Sequence, residues 1–167
     1  LDPLGLPGST SESEEMYLIT IAMAIEDGIT PPISVPHIAG ALGLSPVSAN
    51  EMVKKLDARG LIKYFPYKGV VLEPVGAAVA EGILRRRRLW SVFLTEKLGL
   101  NPSSADSVAC EFEHVTPEDV VERLASFLGD PTVGAQGKRI PRVGERSRDT
   151  AAAVPLGSLA AGTSCVV

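Results

Sequence analysis

The chain has 167 residues, enough for one compact domain or one domain with a smaller appendage. It carries a formal net charge of −4 and only two cysteines, Cys110 and Cys165, in unrelated contexts without CxxC spacing, which argues against a disulfide framework or a four-thiolate zinc site. No apolar run approaches the length of a membrane span, and no basic segment followed by an apolar one opens the chain. The expectation is therefore a soluble cytoplasmic protein without a membrane partner.

Residues 1–10 are rich in Pro and Gly and read as a loose arm. Ser followed by Glu at short spacing, at Ser11 or Ser13, is a capping signal. The apolar positions Met16, Leu18, Ile19, Ile21, Ala22, Met23 and Ile25 then predict a helix buried on much of its surface, ending before Asp27-Gly28. Pro31-Pro32 enforces a break. A short helix over 35–42, a turn at Gly43-Leu44-Ser45 and a second helix over 46–59 with Ser45 as N-cap and Pro46 at its first position make a helix-turn-helix. Two β-rich runs, 61–65 and 70–72, flank Pro66-Tyr67-Lys68-Gly69 and read as a hairpin, so 11–74 is expected to be a winged helix-turn-helix.

Pro74 opens a long helix through the run Arg85-Arg86-Arg87-Arg88 to about Leu98. Asn101-Pro102-Ser103 caps a helix over 104–114, and Thr116-Pro117-Glu118-Asp119 caps another that ends at Leu128-Gly129. Residues 75–131 thus form a helical domain. Residues 132–153 have linker composition, and 154–167 end on a β-like run without a partner. The class is mainly α.

Charge is unevenly distributed. Residues 1–44 contain six acidic residues and no Lys or Arg, 45–97 contain ten basic against five acidic, and 98–131 contain seven acidic against one basic. A cationic middle between anionic flanks fits a DNA-contacting module joined to another functional region, although a solvated charged helix would produce the same count. Within the motif, Ser45, Pro46, Ser48, Asn50 and Glu51 occupy the first turns of the second helix, where side chains reach base edges. Lys54, Lys55, Lys63 and Lys68 are candidates for phosphate contacts, with Tyr64 or Tyr67 adding hydroxyls.

The stretch Cys110-Glu111-Phe112-Glu113-His114 places a thiol, a carboxylate and an imidazole at i, i+3 and i+4, on one helical stripe. Three donors of mixed softness suit a divalent transition metal, and ordinary amphipathic surface is the competing reading. A thiol nucleophile is weakly supported, because no oxyanion-hole loop, Gly-rich phosphate cradle or second carboxylate pair accompanies the Cys and His.

The order of elements, with Glu15-Met16-Tyr17-Leu18, the segment Met52-Val53-Lys54-Lys55-Leu56-Asp57-Ala58-Arg59-Gly60-Leu61-Ile62 and Ala109-Cys110-Glu111-Phe112-Glu113-His114-Val115, resembles the diphtheria toxin repressor family of iron- and manganese-dependent transcription regulators. The resemblance spans residues 11–131, and the tail from 154 looks like the start of the SH3-like domain many members carry. It implies a homodimer that binds a palindromic double-stranded DNA operator, and a metal held by Met16, Cys110, Glu113 and His114. Met16 and Cys110 stand where manganese-selective relatives favour carboxylates, which points to Fe²⁺ ahead of Mn²⁺, Co²⁺, Ni²⁺ or Zn²⁺. The family's ancillary site is not kept: its His and Glu on the long helix align with Arg87 and Ser91, and a further His with Asp106. The resulting expectation is an Arg87–Asp106 pair, a fixed cation where a second metal would sit, against the alternative of a solvated Arg run. A winged-helix regulator that has lost metal sensing and answers an anionic ligand or a protein partner is the other functional reading.

Overall fold

The computed structural model describes residues 10–142. Residues 1–9 of the arm expected over 1–10, the linker beyond 142 and the SH3-like start at 154–167 lie outside the described residues.

Helix α1 (Glu12–Glu26) starts at a capping box: Ser11 Oγ accepts from the Glu14 backbone, and the Glu14 carboxylate accepts from the Ser11 N–H. Its apolar positions go all round because it is enclosed, with Tyr17, Leu18, Ile19, Ile21, Ala22 and Ala24 all buried. Helices α2 (Val35–Leu42) and α3 (Pro46–Ala58) are separated by Gly43, left-handed at φ 65°, and by Ser45, whose hydroxyl caps α3 at the Ser48 N–H. Strands β1 (Ile62–Phe65) and β2 (Gly69–Leu72) pair antiparallel with Ile62 opposite Leu72 and Phe65 opposite Gly69. Ile33 bridges Val70 on the other edge, through two backbone hydrogen bonds of 2.8 Å.

Two glycines are required by this wing. A Cβ at Gly69, where φ is +131°, would lie 2.2 Å from the Ile33 carbonyl oxygen, and one at Gly76 would lie 1.9 Å from that of Leu61. Gly76 belongs to the first turns of α4 (Pro74–Glu96), so the wing and the long helix touch backbone to backbone.

Helix α4 is the spine of the molecule. Ala80, Ile83 and Leu84 complete the core of the winged helix, whereas Leu89 and Val92 pack with Val121, Leu124, Ala125 and Ile140 in a second core. Leu94 meets Ala105 and Ala109 in a third. The partners are α5 (Pro102–Phe112) and α6 (Glu118–Phe127). Trp90 and Phe93 pack between the second and third cores, and Trp90 meets Phe112 edge to face at 5.0 Å.

Three local expectations differ from the structure. Helix α5 ends at Phe112 rather than at 114, with Glu113 as its C-cap, still helical at φ −60° and ψ −31°, so the stripe geometry survives the early stop. Thr116 does not cap α6: Pro117 holds that position, and the Thr116 hydroxyl instead donates to the Phe112 carbonyl and accepts from the Trp90 indole N–H at 2.8 Å. The first part of the expected linker is folded. Val133 and Arg139 form a β-bridge, Ile140 donates to the Thr132 carbonyl at 2.8 Å, and its side chain is buried in the second core.

Candidate metal centre and nucleic-acid interface

The first turn of α1 meets the end of α5. Met16 Sδ lies 3.4 Å from His114 Nε2, which is 3.3 Å from Glu113 Oε1, and Cys110 Sγ lies 3.8 Å from the same carboxylate oxygen. The four candidate donors therefore converge, two sulfurs, one carboxylate and one imidazole, although they are separated by nearly a hundred residues in sequence. Among the described residues no group of three or more His, Cys, Asp and Glu side chains is gathered as a ready cage. The donors engage one another instead.

Glu113 is the group whose environment is least satisfied. It is fully buried, and its Oε2 has no hydrogen-bond partner. Burial pushes its carboxyl up to about 7, against the opposing pull of the Arg87 and His114 charges. Burial, with the Glu113 charge beside it, also raises the Cys110 thiol. A buried carboxylate whose Oε1 meets the Cys110 thiol and the His114 imidazole, with the Met16 sulfur on that same imidazole, fits a divalent cation of intermediate softness.

His114 is oriented by Glu15, a residue absent from the sequence-based candidates: its Nδ1 lies 2.7 Å from Glu15 Oε2. An Nδ1–H donated to this carboxylate leaves the Nε2 lone pair facing Met16 and Glu113, the arrangement by which carboxylates fix metal-binding imidazoles. The adjacent Glu15-Met16 pair carried the signal, but in a first helical turn an acidic residue also has a local reason to be there.

Arg87 and Asp106 meet as a two-pronged pair, Nε to Oδ1 at 3.0 Å and Nη2 to Oδ2 at 2.7 Å, and Arg87 Nε is 3.9 Å from Glu113 Oε2. The Asp106 pairing pushes the Arg87 pKa further up. The other three arginines of the run are also paired within the chain. Arg85 reaches Glu122 and the Pro141 carbonyl, both at 3.1 Å, and Arg86 reaches Glu118 at 3.3 Å. Arg88 is buried, with Glu26 at 2.5 Å and the Arg139 carbonyl as a further acceptor. The run fans around α4 to tie it to α1, α5, α6 and the 139–141 segment.

In the winged helix, Ser45, Pro46, Ser48, Glu51, Lys54, Lys55, Lys63 and Lys68 are exposed. Asn50 is half-buried because its Oδ1 accepts from the Tyr64 hydroxyl at 3.2 Å, which joins α3 to the wing and takes Tyr64 partly out of service. Lys55 lies 3.3 Å from the Glu14 carboxylate as well as facing solvent. Val47, missed in the sequence, is 72% exposed in the first turn of α3. An apolar residue there suits a thymine methyl. Tyr67 stands fully exposed at the wing tip with φ 63°. His37 is exposed.

A helix-turn-helix with a wing, joined through one long helix to a helical domain that meets its first helix at a cluster of mixed donors, defines a class of DNA-binding regulators. Residues 9–70 match the model of the iron dependent repressor N-terminal DNA binding domain, and 73–142 match that of the iron dependent repressor metal binding and dimerisation domain. The chain belongs to this family, that of the diphtheria toxin repressor, whose members are transcriptional repressors and not enzymes.

The chain is 35% identical over 118 residues to an uncharacterized HTH-type transcriptional regulator of Methanocaldococcus jannaschii, covering 71% of this chain and 94% of that one. To the diphtheria toxin repressor of Corynebacterium glutamicum it is 32% identical over 140 residues, 84% of this chain and 60% of the relative, so it spans little more than half of that longer protein. A manganese-dependent transcriptional repressor solved in complex with manganese superposes with a TM-score of 0.71 at 28% identity, over 77% of this chain and 58% of the other. Among the described residues no helix is long and apolar enough to cross a membrane.

Proposed function

We propose that this protein is a metal-activated, DNA-binding transcriptional repressor that acts as a homodimer on a palindromic operator, with Fe²⁺ as the preferred ion. The observation that carries the reading is the meeting of Met16, on a helix of the DNA-binding domain, with Cys110, Glu113 and His114 at the end of a helix of the other domain. When bound, a divalent ion would supply positive charge beside the buried Glu113 carboxylate, which burial otherwise pushes toward its neutral form. Glu113 and His114 are held by α5 and its C-terminal turn, and Met16 by α1, so donors that share one ligand lock the winged helix in one orientation relative to the helical domain. Glu15 keeps the His114 imidazole turned toward that point.

In the locked dimer, two copies of α3 face successive major grooves. Ser45, Pro46, Val47, Ser48 and Asn50 meet base edges and methyl groups, Lys54, Lys55, Lys63 and Lys68 hold phosphates, and Glu51 turns away from the DNA or accepts from a cytosine amino group. Arg87, paired with Asp106 and close to Glu113, serves as a fixed cation in place of a second ion, so one ion per protomer suffices. The internal pairing of all four arginines at 85–88 weighs against a regulator that has turned this run toward an outside anion.

The test is a DNA-binding titration against genomic fragments, anaerobic, with and without Fe²⁺, with Mn²⁺, Co²⁺, Ni²⁺ and Zn²⁺ in parallel and His114→Ala as control. Binding that requires metal and is abolished in His114→Ala is expected. Equal binding with and without metal would overturn the reading.

A further inference from the structure

Three consecutive residues of the first turn of α1 look in two directions. Glu15 and Met16 contact His114 at 2.7 and 3.4 Å. Glu14, about 100° round the helix from Glu15, faces α3 instead. Its side chain is 2% exposed, with Arg59 Nη1 at 2.5 Å and Lys55 Nζ at 3.3 Å. The same carboxylate accepts from the Ser11 backbone N–H at 2.8 Å and from the Ser11 hydroxyl at 3.2 Å. Arg59 is the C-cap of α3 and Lys55 lies in its last turn. A helix-capping glutamate in water needs neither cation, and an acid enclosed this fully is retained at a desolvation cost that its partners must offset. The two cations come from the helix that enters DNA, and the neighbours of Glu14 in sequence touch the metal centre.

We propose that Glu14 is the positioning residue that couples the metal centre to the recognition helix, by holding the first turn of α1 in fixed register with the C-terminal end of α3. The inference rests on the metal-activated reading above and adds the route of transmission. An ion shared by Met16 and His114 fixes the first turn of α1 against the end of α5, and the Glu14 bridge passes that restraint on to α3. Without the bridge, that turn can adjust alone, capture the ion and leave α3 where it was. A ligand that stabilises only a local rearrangement gives no differential binding to the DNA-competent state, so coupling is lost although both sites persist. Lys55 is part of the same device. It is 59% exposed at its side chain, so it can face a phosphate while remaining beside Glu14.

The experiment is amide hydrogen exchange on the whole chain with Co²⁺ as the probe ion, for wild type, Glu14→Gln and the pair Glu14→Gln with Arg59→Met. The pair removes both members of the Glu14–Arg59 ion pair and leaves no cation facing the substituted Gln from the end of α3 at that contact, which gives a second variant if the single change unfolds. In wild type, Co²⁺ should slow exchange at 14–16, at 110–114 and at 52–59 of α3. In both variants the protection at 52–59 should disappear while that at 14–16 and 110–114 remains. Undiminished protection at 52–59 in the variants would overturn the inference, as would its absence in a wild type that binds Co²⁺. Failure of wild type to bind Co²⁺ in calorimetric titration is the separate result that refutes the metal-activated reading, and this route with it.

Discussion

Glu113→Gln in the metal-stripped protein isolates the energetic cost of keeping the centre ready. The carboxyl is fully buried with one oxygen unpartnered, and its pKa stands at about 7 against an ordinary 4.5. An acid whose folded pKa is raised gives up its proton more readily in the unfolded chain. Stability is therefore intact below about 4.5, falls as pH rises between 4.5 and 7, and is level again above. Integrating that difference gives a penalty below ~1 kcal/mol at pH 5 and about 3 kcal/mol at pH 8, a sizeable part of the ~5–15 kcal/mol that stabilises a domain. Gln has nearly the same shape and no proton to lose. Urea unfolding of chelator-treated wild type and Glu113→Gln should give similar midpoints at pH 5, and the variant should be more stable by about 2–3 kcal/mol at pH 8. The opposite shift at Glu14 does not intrude. Burial raises that carboxyl, but hydrogen bonds from Arg59, Ser11 and Lys55 outweigh it and bring the pKa to about 2, so its stabilisation is lost only as pH falls below about 4.5. Parallel stability curves for wild type and Glu113→Gln from pH 5 to pH 8 would refute the reasoning.

Arg87→Ala removes the fixed cation from Asp106 and Glu113, and is expected to lower the metal-stimulated gain in DNA affinity by roughly tenfold. A normal metal response in a fluorescence anisotropy titration would remove the charge-replacement role. Gly76→Ala places a methyl carbon 1.9 Å from the Leu61 carbonyl oxygen, backbone against backbone, and should cost on the order of 3 kcal/mol or more by thermal unfolding. Lys54→Ala should weaken binding to all fragments alike and reduce the slope of log K against log salt by about 1, whereas a base-contacting residue would change the sequence preference.

Much of the architecture is written in local chemistry. Ser11, Ser34, Ser45 and Asn101 each cap a helix with a side-chain oxygen, and a proline stands at the first position of α3, α4 and α5 and at the second of α2. The donor cluster at 110–114 was legible for a similar reason, since i, i+3 and i+4 share a face whether or not the last turn counts as helix. What was hidden depends on distant partners. Residues 132–142 have the composition of a linker, and they are folded because Arg85 and Arg88 donate to the carbonyls of Pro141 and Arg139 and because Ile140 finds a core to enter. Apart from the expected Arg87–Asp106 pair, the arginine run reads as solvated until Glu26, Glu118 and Glu122 arrive from two other helices. Glu14 and Glu15 have a sufficient local explanation in the helix N-terminus, which conceals the tertiary contacts each one makes.

These contacts give α1 two attachments of different kind. Near its C-terminal end, Glu26 is held by the buried Arg88 of α4, with Asp27 paired to Lys138 at 2.6 Å just beyond, and neither contact involves the donor cluster. At its N-terminal end, Glu15 and Met16 meet His114, next to the buried Glu113 carboxylate. The helix between is rigid and about 22 Å long. On the metal-activated reading proposed above, one end is a fixed pivot and the other a latch that a bound cation strengthens. A small displacement at the latch turns the helix about the pivot, and Glu14 lies at the latch end, where that displacement is largest. The enclosure of the Glu14 carboxylate among Arg59, Lys55 and Ser11 and the use of Arg88 on an internal pair then have a common physical reason. On that reading, both keep the lever stiff enough for one ion at the latch end to act on α3.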